Sequence, residues 1–455
     1  MPRCPFNVLC VALAALVVAL AAVPSRAAGT EGGYVVVVSS GTFAKADWRK
    51  VADALQTKHG AIVCQYKASP TEALPALKKH FPKYACFLAT PGEAGKKFVA
   101  EVHQLTRKLD DDPYTDLLWG ILTGYDAANA LGIAKHAAPL TIERVASGTD
   151  VALEMCTEGL WYCELRQYRM VRKRAGGKPT EEKGPADTTQ ALVDTLNTYK
   201  AQLFVTSGHA TERDWQIGFR YRNGSFRCKG GQLYGLDTKK RKIDIKSPNA
   251  KVYLAVGNCL MGHINSPDAM ALAWMNSAGV MQMVGYTVPT WYGYAGWGCL
   301  DYFVEQPGRY TLTEAFFANH HALVHKLSGA SGREAKGLKF DRDVVAFYGD
   351  PAWEARMAPG SSVWEQKLTE AKGRFTFTIK PKRGAKTFEP ININGSQRGY
   401  RPIVAFLPHR IKNVKIIKGA DLKPTITDNF LLIPNPRKCD PKKAYELIFT
   451  AAKAK

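Results

Sequence analysis

From Gly33 onward the chain repeatedly sets a short, unbroken apolar run beside an amphipathic stretch, and this alternation limits the folds open to it. Gly33-Tyr34-Val35-Val36-Val37-Val38 has no polar face, so a strand built from it must be covered on both sides. Trp48, Val51, Ala52 and Leu55 then share one helical face, and Gly60 stops the helix. A strand over 61–66, a helix over 71–80 and a strand at Tyr84-Ala85-Cys86-Phe87-Leu88-Ala89 follow. A helix carrying Phe98, Val102, Leu105 and Leu109 and a strand over 117–122 continue the rhythm. Strands of this kind between helices predict an α/β fold, with a mostly parallel sheet and helices on both faces.

The segment 140–190 interrupts the pattern, and its basic, Gly- and Pro-containing part over 166–185 reads as an exposed loop. The alternation resumes with a helix over 189–200, strands over 202–206 and 252–256, a helix over 268–277, a strand over 280–284 and a helix over 311–327. Beyond Tyr348-Gly349-Asp350-Pro351 the text changes to short strand-like runs, among them Phe375-Thr376-Phe377-Thr378-Ile379, Val414-Lys415-Ile416-Ile417 and Phe430-Leu431-Leu432-Ile433. Turn residues separate them, and the expectation is a β-sandwich over 370–455 after an α/β domain over 33–360. The 455 residues suffice for such a division.

Residues 1–28 read as a secretory signal: Arg3, an apolar run from Val8 to Val23, then Ser25-Arg26-Ala27 as a cleavage site. No later segment reaches membrane-spanning length, so an exported, periplasmic or cell-surface protein is expected. Cys64, Cys86, Cys156, Cys163, Cys228, Cys259, Cys299 and Cys439 remain after cleavage. Cys64 and Cys86 lie in strand runs where a thiol packs as a small core residue, so no complete disulfide framework is expected. The net charge is +22, yet the basic residues scatter over every segment, and nucleic acid is not an expected partner.

Two late strands end on reactive side chains. Leu203-Phe204-Val205-Thr206 runs into Ser207-Gly208-His209-Ala210, and Val252-Tyr253-Leu254-Ala255-Val256 runs into Gly257-Asn258-Cys259-Leu260. Open parallel sheets bind ligands beyond the carboxyl ends of their strands, which predicts His209 and Cys259 on one rim. A thiolate is a competent nucleophile, and an imidazole beside it takes or shares its proton. Gly208 and Gly257 allow sharp turns, and backbone N–H groups around them could serve an oxyanion. Two rival readings are packing, the commonest fate of a lone His or Cys, and a metal held by Cys259, His263 and His209. His320, His321 and His325 share a helix and read as a packed or solvated face, so no metal site is assigned.

An apolar strand ending in Gly-His, about 50 residues before one ending in Cys, resembles the caspase-type clan of cysteine peptidases, best its gingipain-type branch. The signal, the βα stretch before the His, the Gly-Asp-Pro end at 349–351 and the β-rich tail add to the resemblance. It implies a caspase-like catalytic domain followed by an immunoglobulin-like sandwich. It further implies His209 as general base and Cys259 as nucleophile of an endopeptidase working through a thioester. The chain departs from the family where Ala210 follows the His and Asn258 precedes the Cys. Ala210 can still present its N–H, whereas Asn258 either crowds the turn or contributes a donor. The second functional expectation is an inactive secreted binding or adhesion protein on the same scaffold.

Polypeptides are the expected partners, no cofactor is required, and a structural calcium is left open. Trp291, Tyr292, Tyr294 and Trp297, interleaved with small residues, are candidates for the walls of a substrate cleft, with core packing as the alternative. Arg220, Arg222, Arg227 and Lys229 lie in a hairpin-like segment and read as a solvated face. Asp237 and Glu158 are candidates for a specificity pocket by position alone. Arg172-Lys173-Arg174 is a candidate processing site, and Asn223-Gly224-Ser225 and Asn394-Gly395-Ser396 fit the glycosylation pattern.

Overall fold

The structure, a computed structural model, describes Met1 and residues 32–454. The secretory signal expected over 1–28 therefore lies outside the described residues, apart from Met1. Twelve strands form the central sheet: β1 (Tyr34–Ser39), β2 (Ile62–Tyr66), β3 (Tyr84–Leu88), β4 (Leu118–Leu122), β5 (Arg144–Ser147), β6 (Glu158–Tyr162), β7 (Arg169–Lys173), β8 (Thr180–Lys183), β9 (Leu203–Thr206), β10 (Lys251–Ala255), β11 (Val280–Tyr286) and β12 (Val345–Gly349). Their order is β2-β1-β3-β4-β12-β11-β10-β9-β5-β6-β7-β8. Every residue of β1, β4, β9, β10 and β12 is buried, as strands covered on both faces require. Most pairs are parallel; β12 runs antiparallel to β11, and β7 and β8 are antiparallel additions at one edge.

Those additions correct the reading of 140–190. The segment is no surface loop: β5 and β6 pair in parallel beside β9, and the supposed loop at 166–185 supplies β7 and β8. Arg172 and Lys173 of the candidate processing site sit within β7, where Lys173 Nζ donates to the carbonyl of Glu154 at 3.3 Å and to that of Cys156. Of the three basic residues only Arg174, which begins the turn, is fully exposed. The edge strand alternates polar residues in the way that protects a sheet border, and that pattern imitates a loop.

Elsewhere local signals act as expected. The helix Leu312–Ser328 opens on a reciprocal cap: Glu314 N–H donates to Thr311 Oγ1 at 3.1 Å and Thr311 N–H to Glu314 Oε2 at 2.8 Å. Asp350, from the Gly-Asp-Pro end, is buried and accepts from Tyr34 Oη (2.8 Å), Lys58 Nζ (2.9 Å) and Ala352 N–H (3.0 Å), and pairs with His59 Nε2 at 2.7 Å. It ties the last strand to the first strand and to the helix Ala46–His59.

Between β9 and β10 the chain makes a four-stranded antiparallel sheet over residues 214–244. Trp215 and Phe226 from it close against Phe204 of β9, which accounts for the long interval between the two strand ends. Arg220, Arg222, Arg227 and Lys229 are exposed here, a solvated face as expected.

The C-terminal part contains two antiparallel sheets. One joins Trp364–Ala371, Arg374–Pro381, Tyr445–Lys453 and Ile411–Lys418; the other joins Ile403–Phe406, Phe430–Ile433 and Thr425–Ile426. The three-stranded sheet is buried on both sides. Ile403, Leu431 and Ile433 face Phe375, Phe377 and Phe449 in the sandwich core, while Val404, Phe430 and Leu432 join the core of the α/β part. Phe430 stacks on His321 at 4.0 Å between centroids.

His320 and His321, on the helix Leu312–Ser328, and His103 are all buried, and burial holds each imidazole below its usual range, to about 4 for His103 and about 3 for His321. The unfolded chain binds these protons near pH 6.5, so the folded state loses up to about 1.4 kcal/mol per pH unit per histidine as pH falls below that value. Melting temperature should therefore drop steeply from pH 6.5 to 4.5, and His321→Phe should flatten the slope. An unchanged slope in thermal melts of that variant would refute the assignment.

Candidate active site

β9 and β10 are neighbours in parallel register, with Thr206 opposite Ala255, and Val256 N–H donates to Thr206 O at 3.1 Å beyond the last pair. His209 and Cys259 thus leave adjacent strands at the same end, each a few residues past the paired positions. Asn258 joins the two turns. Its buried side chain accepts from Thr206 Oγ1 at 2.6 Å and donates from Nδ2 to Gly208 O at 3.1 Å. The donor of this side chain is thus spent on the Gly208 carbonyl.

Cys259 is half-buried, and its Sγ accepts from Thr290 N–H at 3.2 Å, while Thr290 Oγ1 donates to Asn258 O at 2.9 Å. Leu260 follows in the left-handed region, at φ +57°, an uncommon conformation for a side-chain-bearing residue and a mark of an imposed turn. Its N–H is taken by Val288 O at 3.1 Å. The N–H groups of Gly208, Ala210 and Cys259, by contrast, reach no acceptor among the described residues and remain able to donate at this rim.

The His209 ring is exposed and stacks on Phe219 at 4.6 Å between centroids, and it is not hydrogen-bonded to the sulfur. Catalytic hydrogen bonds are often loose without substrate. The turn beneath it is fixed from below: Trp215 Nε1 donates to Ser207 O at 2.7 Å, Gln216 N–H to His209 O at 2.9 Å, and Ser207 Oγ to Glu164 Oε2. Glu164 was not foreseen. Burial pushes its carboxyl above the usual range, and the hydroxyls of Ser207 and Thr149 pull against that shift. A Cβ on Gly208, at φ +91°, would stand 3.5 Å from Glu164 Oε2. The candidates Asp237 and Glu158 are elsewhere: Asp237 is absorbed by Arg241 in a turn of the small sheet, and Glu158 begins β6.

The aromatic run divides. Trp291 is exposed and Tyr292 half-buried, directly after Thr290. Tyr294 and Trp297 do not line a cleft; both are buried in the helix Tyr294–Phe303, a correction to the expectation. Trp297 supports the Cys259 turn from beneath, because a Cβ on Gly257 would lie 2.8 Å from its Nε1 and only glycine lets the backbone rest on the ring.

The metal reading of Cys259, His263 and His209 gains nothing. Among the described residues, the groupings that could hold an ion are His103, His320 and Asp343, and Asp110, Asp112 and Asp116. Asp343 already pairs with Arg107 at 2.8 Å and Arg342 at 3.1 Å, so positive charge fills that cluster. The three aspartates are the oxygen set closest to a calcium site in type; burial and mutual repulsion push Asp112 up to about 6 and Asp116 to about 8. All eight described cysteines are free thiols, and among the described residues no helix is long and apolar enough to cross a membrane.

No protein-family model matches the chain, and no curated protein matches its sequence. Three solved structures are similar in fold. The crystal structure of the Arg-specific cysteine proteinase gingipain R is 12% identical, with TM-score 0.45 over 94% of this chain and 99% of that one. A complex of Porphyromonas gingivalis RgpB pro- and mature domains is 10% identical, with TM-score 0.48 over 93% of this chain and 100% of that one. A chain described as a protease is 11% identical, with TM-score 0.43 over 93% and 98%. Likeness at this level says nothing of the chemistry of this chain.

Proposed function

We propose that the protein is an exported cysteine endopeptidase in which Cys259 attacks and His209 moves the proton. The observation that carries this reading is the Asn258 clamp, Thr206 Oγ1 to Oδ1 and Nδ2 to Gly208 O, which locks the turn bearing the imidazole to the turn bearing the sulfur. His209 takes the thiol proton as Sγ attacks the scissile carbonyl carbon. The oxygen then carries the negative charge, and the N–H groups of Cys259, Gly208 and Ala210, which have no acceptor among the described residues, are the donors assigned to it in this reading. Collapse breaks the C–N bond, His209 returns its proton to the departing amine, and the acyl group stays on sulfur as a thioester. Water, deprotonated by the same imidazole, releases the carboxylic acid and the free thiol.

Cys64 supplies an internal control, being half-buried like Cys259 but carrying a thiol that burial pushes up. Mild iodoacetamide treatment of the folded, full chain, read by peptide mass spectrometry, should label Cys259 at least about tenfold faster than Cys64. Hydrolysis of an unstructured polypeptide such as casein should be lost in proportion to that label. Slow labelling of Cys259 would leave an inert thiol and a binding protein, and turnover that survives complete labelling would remove Cys259 as the nucleophile.

A further inference from the structure

We propose that the segment 391–397 is the outer wall of a substrate groove whose inner wall is Trp291 and Tyr292. The groove takes an extended stretch of polypeptide carrying a bulky apolar side chain. This deepens the peptidase reading and rests on it, because the groove begins at the nucleophile: Thr290 N–H holds Cys259 Sγ, and Trp291 is the next residue.

The segment comes from the C-terminal part of the chain yet is fastened on both sides of the rim. At one end Asn392 Nδ2 donates to Asp150 Oδ1 at 3.0 Å, just beyond β5. At the other, Gly395, at φ +106°, lies against the Trp297 indole, where a Cβ would come within 2.6 Å of the ring. Arg398 then pairs with Asp301 at 3.1 Å and with Glu305, all three nearly fully buried, and Gly399 N–H donates to Asp301 Oδ2 at 3.1 Å. Trp297 lies under the Cys259 turn, and β5 is the neighbour of β9 on its far side. A strap anchored on both crosses the ends of β10 and β9, where Cys259 and His209 emerge.

Two observations give the chemistry of the occupant. Trp291 is 47% exposed and meets Phe340, 37% exposed, edge to face at 5.7 Å. Large rings left in water at a concave site, here bounded also by Tyr292 and by the polar rim of Arg333, Glu334, Ser396 and Gln397, favour an apolar side chain against the rings. Along the strap, the N–H groups of Ile393, Gly395, Ser396 and Gln397 reach no acceptor among the described residues. Unspent main-chain donors on a fixed segment suit an extended peptide, which brings a row of carbonyls.

The test compares reagents at Cys259 in the full chain: iodoacetamide, which needs no groove, and two peptidyl chloromethyl ketones differing only in Leu or Gly at a residue flanking the reactive end. The wild type should favour the Leu reagent by about tenfold. Ser396→Trp, which fills the groove from an exposed position, should abolish that preference while leaving the iodoacetamide rate within about twofold. Asn392→Ala, which frees one end of the strap, should lower the preference without altering the fold. Equal Leu and Gly rates in the wild type, or a preference unmoved in both variants, would overturn the groove and leave the peptidase standing. Reaction with iodoacetamide but with neither peptidyl reagent would remove the peptidase reading and the groove with it.

Discussion

Cys259→Ala is expected to lower turnover of a polypeptide substrate by on the order of 10⁴-fold or more, with His209→Ala close behind and the double variant little worse than either. Groups that act in one step do not add, since the nucleophile without its base and the base without its nucleophile are equally idle. The fold should not change. Cys259 accepts one hydrogen bond, from Thr290 N–H, and sits half-open to water that can replace it. His209 is exposed and loses only its stack on Phe219. Thermal melts should agree with the wild type to within a few degrees, about what 1 kcal/mol is worth in a chain of this size. Full turnover in either variant, measured on the same polypeptide, refutes the assignment.

The second large effect belongs to a residue that touches no substrate. Asn258→Ala removes the acceptor of Thr206 Oγ1, which is buried, and the donor of Gly208 O, which is half-buried, in one step. Thr206 keeps Tyr253 Oη at 2.8 Å, so the stranded group is mainly the Gly208 carbonyl. An unmet polar group costs about 1–3 kcal/mol when fully buried, and the half-buried Gly208 carbonyl should cost about 1 kcal/mol. The rate should fall further, by about 10²-fold, because the imidazole turn is released from the sulfur turn and small misplacements of reacting groups are expensive. Asn258→Asp sharpens the test: Oδ1 still accepts from Thr206, but a carboxylate oxygen now faces the Gly208 carbonyl and cannot donate. The iodoacetamide rate at Cys259 should stay close to wild type in both variants while kcat drops. An unchanged kcat in both would mean that the two turns hold their places without the clamp.

Much of this was legible from the letters. Runs such as Val35 to Val38 have no polar face to turn to water, so a doubly covered sheet follows from them, and so does the placement of residues 209 and 259 at strand ends. The stretch 140–190 misleads because β7 and β8 form an edge, where charged residues such as Arg172 and Glu182 pair across strands and imitate a solvated loop. Glu164 was missed with it, lying between β6 and β7. Trp291 to Gly298 reads as a glycine-rich loop, yet most of it enters a helix. A Cβ on Gly296 would strike Val256 O at 2.2 Å and one on Gly298 the Asn319 side chain at 2.0 Å, so the glycines mark close packing rather than freedom. Propensity favours the loop, and tertiary contact overrides it. Asn258 stood out as a departure from the family it resembles, but its bond to Gly208 spans fifty positions and no local pattern encodes it.

The three-stranded sheet at 403–433, wetted on neither side, has a consequence for the order in which the molecule is born. A ribosome releases the amino end first, so the half bearing the thiol is synthesised while the layer whose Phe406 and Phe430 pack on His321 is still missing. The segment 391–397 and this sheet come from the same late stretch of chain. A chain that stops before residue 403 therefore lacks the rings that cover His321.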